Sequence, residues 1–168
     1  MPTTAADRAR APARWQRDFA AEPVIVSQAR RGVTAFARAH GASEDALDKV
    51  SLAVSEATTN AVIHAFVGLP PGRVSVIAEP GEGCVLVRVL DDGRGMTPRA
   101  DSAGLGLGLT LMASMATRCV IREGPSGRET EVRMVFAAAG VSESSLMARQ
   151  TVGSPRSRAG GSPAKGTP

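Results

Sequence analysis

The sequence predicts an α+β domain, with helices layered on one face of a mixed, mostly antiparallel sheet. Three observations carry that reading. Two stretches with an apolar repeat near 3.6 residues come first. Two pairs of Val-rich runs follow, each pair joined by a Gly- and Pro-containing turn, and a Gly-rich segment separates the pairs. Helices and strands segregated in this order suit helices stacked on one side of a sheet.

The elements follow from local chemistry. Trp15 to Phe19 reads as an edge strand or a packed lead-in. Over residues 24–40, Val26, Ala29, Val33, Phe36 and Ala37 form one stripe, and Gly41 is the stop. Ser43 suits an N-cap, Glu44 and Asp45 suit the positive end of a helix dipole, and Leu47, Val50, Val54, Ala57 and Ala61 extend a second stripe to about Phe66. Residues 73–79 and 84–90 read as a hairpin around Pro80 to Gly83. Residues 91–109 are too polar and glycine-rich for a regular element, residues 109–116 read as a third helix, and residues 117–122 and 130–136 form a second strand pair. Residues 1–12 are expected to be a disordered extension and residues 13–140 the folded domain. Residues 141–168, with a Ser-, Pro- and Gly-rich basic end, are expected to be a disordered tail.

The chain has 168 residues, of which 43% are hydrophobic and 21% charged, enough for one domain with a core. Its 20 Lys and Arg against 16 Asp and Glu give +4. Residues 1–21 hold +2 of this and residues 141–168 hold +3, so residues 22–140 net −1. Basic charge at the two ends argues against a nucleic-acid groove in the core, and an aromatic content of 3% leaves little for stacking bases. No apolar run approaches the ~18 residues of a membrane span, and the opening arginines lack an apolar run after them. A cytoplasmic protein with no membrane contact is expected. Cys84 and Cys119 each lie in a strand-like run and read as buried free thiols.

Three features could carry chemistry. Glu56, Asn60 and His64 recur at i, i+4 spacing: either a solvated helix face, or a carboxylate beside an amide oxygen fit for a hard cation. Asp91-Asp92-Gly93-Arg94-Gly95 follows a strand: either an ordinary turn, or an acid beside bare backbone on which a flat polar ring could lie. An EF-hand fails, because the third, fifth and twelfth positions from Asp91 are Gly93, Gly95 and Ser102. Gly104, Gly106 and Gly108 precede a helix: either a hinge, or backbone amides for phosphate. No Gly-Lys-Ser or Gly-Lys-Thr of a Walker A loop occurs, and a dinucleotide fingerprint would need glycine at Leu109.

Taken in order, Glu-x-x-x-Asn, Asp-x-Gly-x-Gly and Gly-x-Gly-x-Gly are the motifs of the GHKL (Bergerat) ATP-binding fold, which the chain resembles over about residues 24–137. More narrowly, SLAVSEATTNAVIHAF, VLDDGRGM and GLGLGLTLM resemble the anti-sigma factor serine/threonine kinases, and the short link 96–103 is similar to theirs. The resemblance implies a two-layer α/β sandwich that takes ATP and Mg²⁺. Asn60 would hold the metal and Glu56 would be the catalytic base. Asp91 would accept the adenine amino group, with Gly93 and Gly95 letting the ring approach, Met96 bordering it and Thr130 near it, although the neighbours of Thr130 depart from the family's Gly-Thr pairing. Gly104, Leu105, Gly106, Leu107 and Gly108 would wrap the phosphates. It further implies a homodimer that binds a sigma factor and phosphorylates an anti-anti-sigma (STAS-type) antagonist, without direct nucleic-acid contact. The alternative is a nucleotide-responsive module that binds a partner without transferring phosphate.

Overall fold

The computed structural model describes residues 11–95, 105–124 and 129–152. Its elements are β1 (Trp15–Ala20), α1 (Val24–Ala39), α2 (Glu44–His64), β2 (Arg73–Gly81), β3 (Cys84–Asp91), α3 (Leu105–Met115), β4 (Arg118–Glu123), β5 (Thr130–Ala137) and α4 (Glu143–Val152). The strands form one sheet in the order β1-β2-β3-β5-β4, and every pairing is antiparallel. The α+β architecture is the one the sequence predicts. None of the helices among the described residues is long and apolar enough to cross a membrane.

Period-2 alternation decides which side of the sheet is covered. Val74, Val76 and Ala78 of β2, Val85, Val87 and Val89 of β3, and Val132, Met134 and Phe136 of β5 are all buried in one cluster with the helices. From α1 that cluster takes Ile25, Ala29, Val33, Phe36 and Ala37, so the first contact is Ile25 rather than the Val26 of the sequence stripe. From α2 it takes Leu47, Val50, Val54, Ala57 and Ala61, the whole predicted stripe. Met112 of α3 completes the layer.

Capping sets the helix ends. Ser43 is extended (φ −72, ψ 162) and its hydroxyl accepts the Ala46 N–H at 3.2 Å, with Glu44 and Asp45 in the first turn. After α1, Gly41 adopts φ 81 and donates to Arg38 O, while Ala42 donates to Ala37 O, both at 3.0 Å. This pair of bonds is a Schellman closure, which favours glycine at the left-handed position. At the far end of α2 the helix stops at His64, two residues short of the predicted end, and Leu69 N–H bonds back to Phe66 O to begin the turn.

Two elements differ from the sequence reading. α3 begins at Leu105, so part of the glycine run read as loop is the helix's first turn. The stretch 143–152, assigned to the tail, is α4. Its start is chemically defined: Ser142 Oγ accepts the Ser145 N–H at 3.1 Å, Glu143 lies 3.7 Å from Lys49 Nζ, and Leu146 is buried. Leu146 is the buried apolar side chain among residues 143–148, while Met147 is exposed, so no periodic stripe stands out in the sequence. Cys84 and Cys119 are free and half-buried, and burial pushes both thiols up.

β1 is an edge strand whose Trp15 indole lies so close to Gly32 of α1 that a Cβ there would overlap the ring. Gly32→Ala should therefore displace the ring, with a destabilisation of about 1–3 kcal/mol by urea unfolding. Because Trp15 is the chain's single tryptophan, its emission should shift to the red in the folded variant.

Candidate functional site

α2 is the beam on which the site is built. Glu56 and Asn60 lie one turn apart and are half-buried, so their face is not the freely solvated one that the polar spacing also allowed. What covers them is the first turn of α3. A Cβ on Gly108 would stand 3.1 Å from Asn60 Nδ2, 3.3 Å from Glu56 Oε2 and 3.5 Å from Asn60 Oδ1. Glycine at this place lets α3 approach these two groups without pressing on either side chain. The third motif thus meets the first through backbone. Gly106 and Gly108 are helical rather than part of an open loop, and the backbones of Leu105 and Leu107 share that turn. The start of this helix carries unpaired N–H groups and the positive dipole end, and its fourth residue lies beside Asn60 and Glu56.

The second motif reaches the same beam at its other end. Gly93 packs on the final turn of α2, where a Cβ would fall 2.7 Å from Ala65 Cβ and overlap the Ala65 carbonyl. The next residue, Arg94, donates its N–H to Ala65 O at 3.1 Å. Asp92 ties the strand ends together: its Oδ1 accepts the Arg73 N–H at 2.6 Å and its own N–H donates to Arg73 O at 3.2 Å. Ala65 was not among the residues singled out from sequence, and Asp92, named within the second motif, carried no role of its own there. Asp92 could have been suspected as a turn acid beside Asp91, whereas Ala65 carries no chemical signal beyond its small size.

Asp91 ends β3 on the covered side of the sheet and is 6% exposed. It pairs in register with Thr130 of β5, itself buried, and the two side chains are hydrogen-bonded. Its Oδ1 also accepts the Gly93 N–H at 3.2 Å. Burial pushes the Asp91 carboxyl up to about 6, with the neighbouring Asp92 and Glu129 charges adding to it and the bonds from Gly93 and Thr130 opposing it. A desolvated acid at a strand end, with two donors already in place, is a strong acceptor for one further N–H donor. Gly95 follows at φ 74, a conformation open to glycine. Met96 and Gly104 lie outside the described residues. His64 continues the stripe, half-buried.

One observation bears on whether a metal fits. Asn60 Nδ2 is buried and has no hydrogen-bond partner among the described residues. The two ends of an amide are nearly isosteric, so a half-turn presents the carbonyl oxygen instead. Among the described residues no group of three His, Cys, Asp or Glu side chains could cage a metal. A lone amide oxygen suits Mg²⁺ nonetheless, because that ion keeps several waters and takes few protein ligands when phosphates supply the rest.

Comparison with known proteins identifies the family of the fold. A family model described as "Histidine kinase-like ATPase domain" matches residues 19–136. The chain is 30% identical over 117 residues to the anti-sigma F factor of Clostridium botulinum (strain Eklund 17B / Type B), covering 63% of this chain and 81% of that protein. It is 40% identical over 73 residues to the serine-protein kinase RsbW of Listeria innocua serovar 6a, covering 44% of this chain and 46% of that one. A solved structure of RsbU and RsbW domains from Mycobacterium tuberculosis superposes with a TM-score of 0.59 at 20% identity, over 76% of this chain and 33% of that chain, which shows a common fold. With the matched span running from β1 through β5 and enclosing all three motifs, the chain belongs to the histidine-kinase-like (GHKL) ATPase domain family and is related to its anti-sigma factor and RsbW members.

Proposed function

We propose that the chain is an ATP-dependent protein serine/threonine kinase that acts as an anti-sigma factor in the cytoplasm, holding a sigma factor and phosphorylating an anti-anti-sigma antagonist of the STAS type. The observation that supports this best is the seating of Gly108 against both Glu56 and Asn60. It sets a carboxylate, an amide and a helix N-terminus side by side, the three groups that a phosphoryl transfer needs from the protein. The relatives' names, an anti-sigma F factor and a serine-protein kinase, supply the biological setting.

Each residue has a stated task. Asp91 accepts a hydrogen bond from the adenine amino group, and Gly93, Gly95 and Met96 border the ring. The N–H groups at the start of α3, with Gly104 before them, hold the phosphates. Asn60 holds Mg²⁺, which when bound offsets phosphate charge. Glu56 takes the proton of the serine or threonine hydroxyl as its oxygen bonds to the γ-phosphorus and the bond to the departing ADP breaks. Thr130 orients the Asp91 carboxylate through their hydrogen bond.

Incubation with ATP, Mg²⁺ and a STAS-type antagonist should yield phosphoserine or phosphothreonine on the antagonist. Glu56→Ala should reduce that rate by about 10²-fold or more while ATP affinity changes by no more than a few-fold. Equal labelling by the variant would reject Glu56 as the base. Intact ATP combined with nucleotide-dependent partner binding would replace kinase chemistry with a binding module.

Gly108→Ala separates packing from binding. The added methyl improves helix propensity by roughly 1 kcal/mol but presses on Asn60 and Glu56. The thermal midpoint should therefore move little, whereas calorimetric ATP affinity in Mg²⁺ should fall by about tenfold.

The raised pKa of Asp91 fixes the sign of two pH effects. An acid whose folded value lies above its unfolded value binds more protons in the folded state. Its contribution to stability is thus greatest below about pH 4 and is lost as pH rises through about 6. Asp91→Asn should flatten urea stability across that window. An amino donor prefers the ionised acid, so ATP affinity of the natural chain should weaken below about pH 6, with proton release on binding measurable in buffers of different ionisation enthalpy.

A further inference from the structure

The sheet face turned away from the helices is unused by the nucleotide reading. Register across β3, β5 and β4 arranges it as a three-by-three grid. Its rows are Leu86, Val135 and Arg118, then Arg88, Arg133 and Val120, then Leu90, Glu131 and Arg122. Glu131 is 1% exposed, and it accepts Arg88 Nε on Oε1 and Arg122 Nε on Oε2, both at 2.5 Å. Burial pushes the Glu131 carboxyl up, but the hydrogen bonds from Arg122 and Arg88 and the charges of Arg88 and Arg133 outweigh it, holding it below the usual range.

Glu131 is therefore an anion, and it is already shared by the two arginines that bond it. Arg133 comes only within 3.7 Å of Oε1 through Nη2, its buried Nε has no hydrogen-bond partner among the described residues, and the rest of its guanidinium lies on a side chain that is partly exposed. Arg118 adds a fourth guanidinium at the exposed edge. The grid thus holds +3, inside a segment, residues 22–140, whose net charge is −1. Leu86, Leu90 and Val120 are half-buried between these arginines. Cross-strand like charges are unfavourable, and a guanidinium donor left without an acceptor is costly.

We propose that this face docks an acidic protein partner, whose carboxylates bond Arg133 and Arg118 while its apolar side chains cover Leu86, Leu90 and Val120. Charge selects this occupant. A second copy of the chain would bring +3 against +3. A nucleic acid would find neither an aromatic platform nor a lysine in the grid, and the apolar half of the surface would be wasted on phosphates. The surface lies on the opposite side of the sheet from Asp91 and Glu56, so its test is independent of nucleotide binding.

The probe is a blocked octapeptide of alternating Glu and Leu, titrated into the ¹⁵N-labelled full chain while the arginine Nε–H signals are followed by NMR. Saturable shifts at Arg133 and Arg122, with affinity falling several-fold between about 50 and about 300 mM salt, support the proposal. So does a roughly tenfold loss of affinity in both Arg133→Gln and Arg118→Glu. Arg118→Glu is the variant that keeps the test clean, because Arg118 is exposed and stands outside the Glu131 hydrogen bonds. No saturable shift, equal affinity for a Lys-Leu octapeptide, preferred binding of an oligothymidylate of the same charge, or concentration-dependent dimerisation abolished by Arg118→Glu would each overturn it.

Discussion

Two glycine backbones resting on one helix hold this architecture's chemistry in register. Gly108 lies against Glu56 and Asn60, and Gly93 lies against Ala65 at the end of the same helix. A side chain at Gly93 would overlap the Ala65 backbone, and one at Gly108 would press on the Glu56 and Asn60 side chains, so both segments take their position from α2. α2 can serve as this rigid reference because its opposite stripe, from Leu47 to Ala61, is buried against the sheet over several turns. Core packing and site geometry are two faces of one element, and a change in the first is transmitted to the second.

The sheet carries a second pairing of roles. Thr130 and Glu131 are consecutive on β5 and point to opposite faces. On the covered side Thr130 supports Asp91, an acid that burial drives toward neutrality. On the other side Glu131 is held ionised by the arginines around it. The same loss of water acts on both carboxyls, and the number of cationic partners decides the outcome. Asp91, with no cation beside it among the described residues, is the carboxyl left responsive to a neutral N–H donor, the property that its proposed role requires.

Most of the fold was legible because the signals were periodic. The α2 stripe, the Ser43 cap, the Gly41 stop and both strand pairs were readable from spacing and turn chemistry, and the structure contains them. The start of α3 was not, since glycine is a poor helix former and only tertiary contact with α2 makes helix the better state at Gly106 and Gly108. α4 was hidden for the opposite reason: one buried leucine in a polar stretch leaves no pattern. In the candidate site, Glu56, Asn60 and Asp91 stood out by residue type and spacing. Ala65 matters through its carbonyl and its smallness, features that a sequence shows at every alanine. The arginine grid needed strand register before its four guanidinium groups could be seen as neighbours.

The proposed site gathers three separated motifs on α2 around one metal nucleotide. Paramagnetic relaxation with Mn²⁺ and a non-hydrolysable ATP analogue tests it most directly, because Mn²⁺ accepts the same oxygen ligands as Mg²⁺ and broadens nearby amide signals. Broadening should centre on Asn60 and Gly108, with diamagnetic shifts at Gly93 and Thr130 when Mg²⁺ replaces it. Broadening centred elsewhere on the sheet, or none at saturating nucleotide, would contradict it.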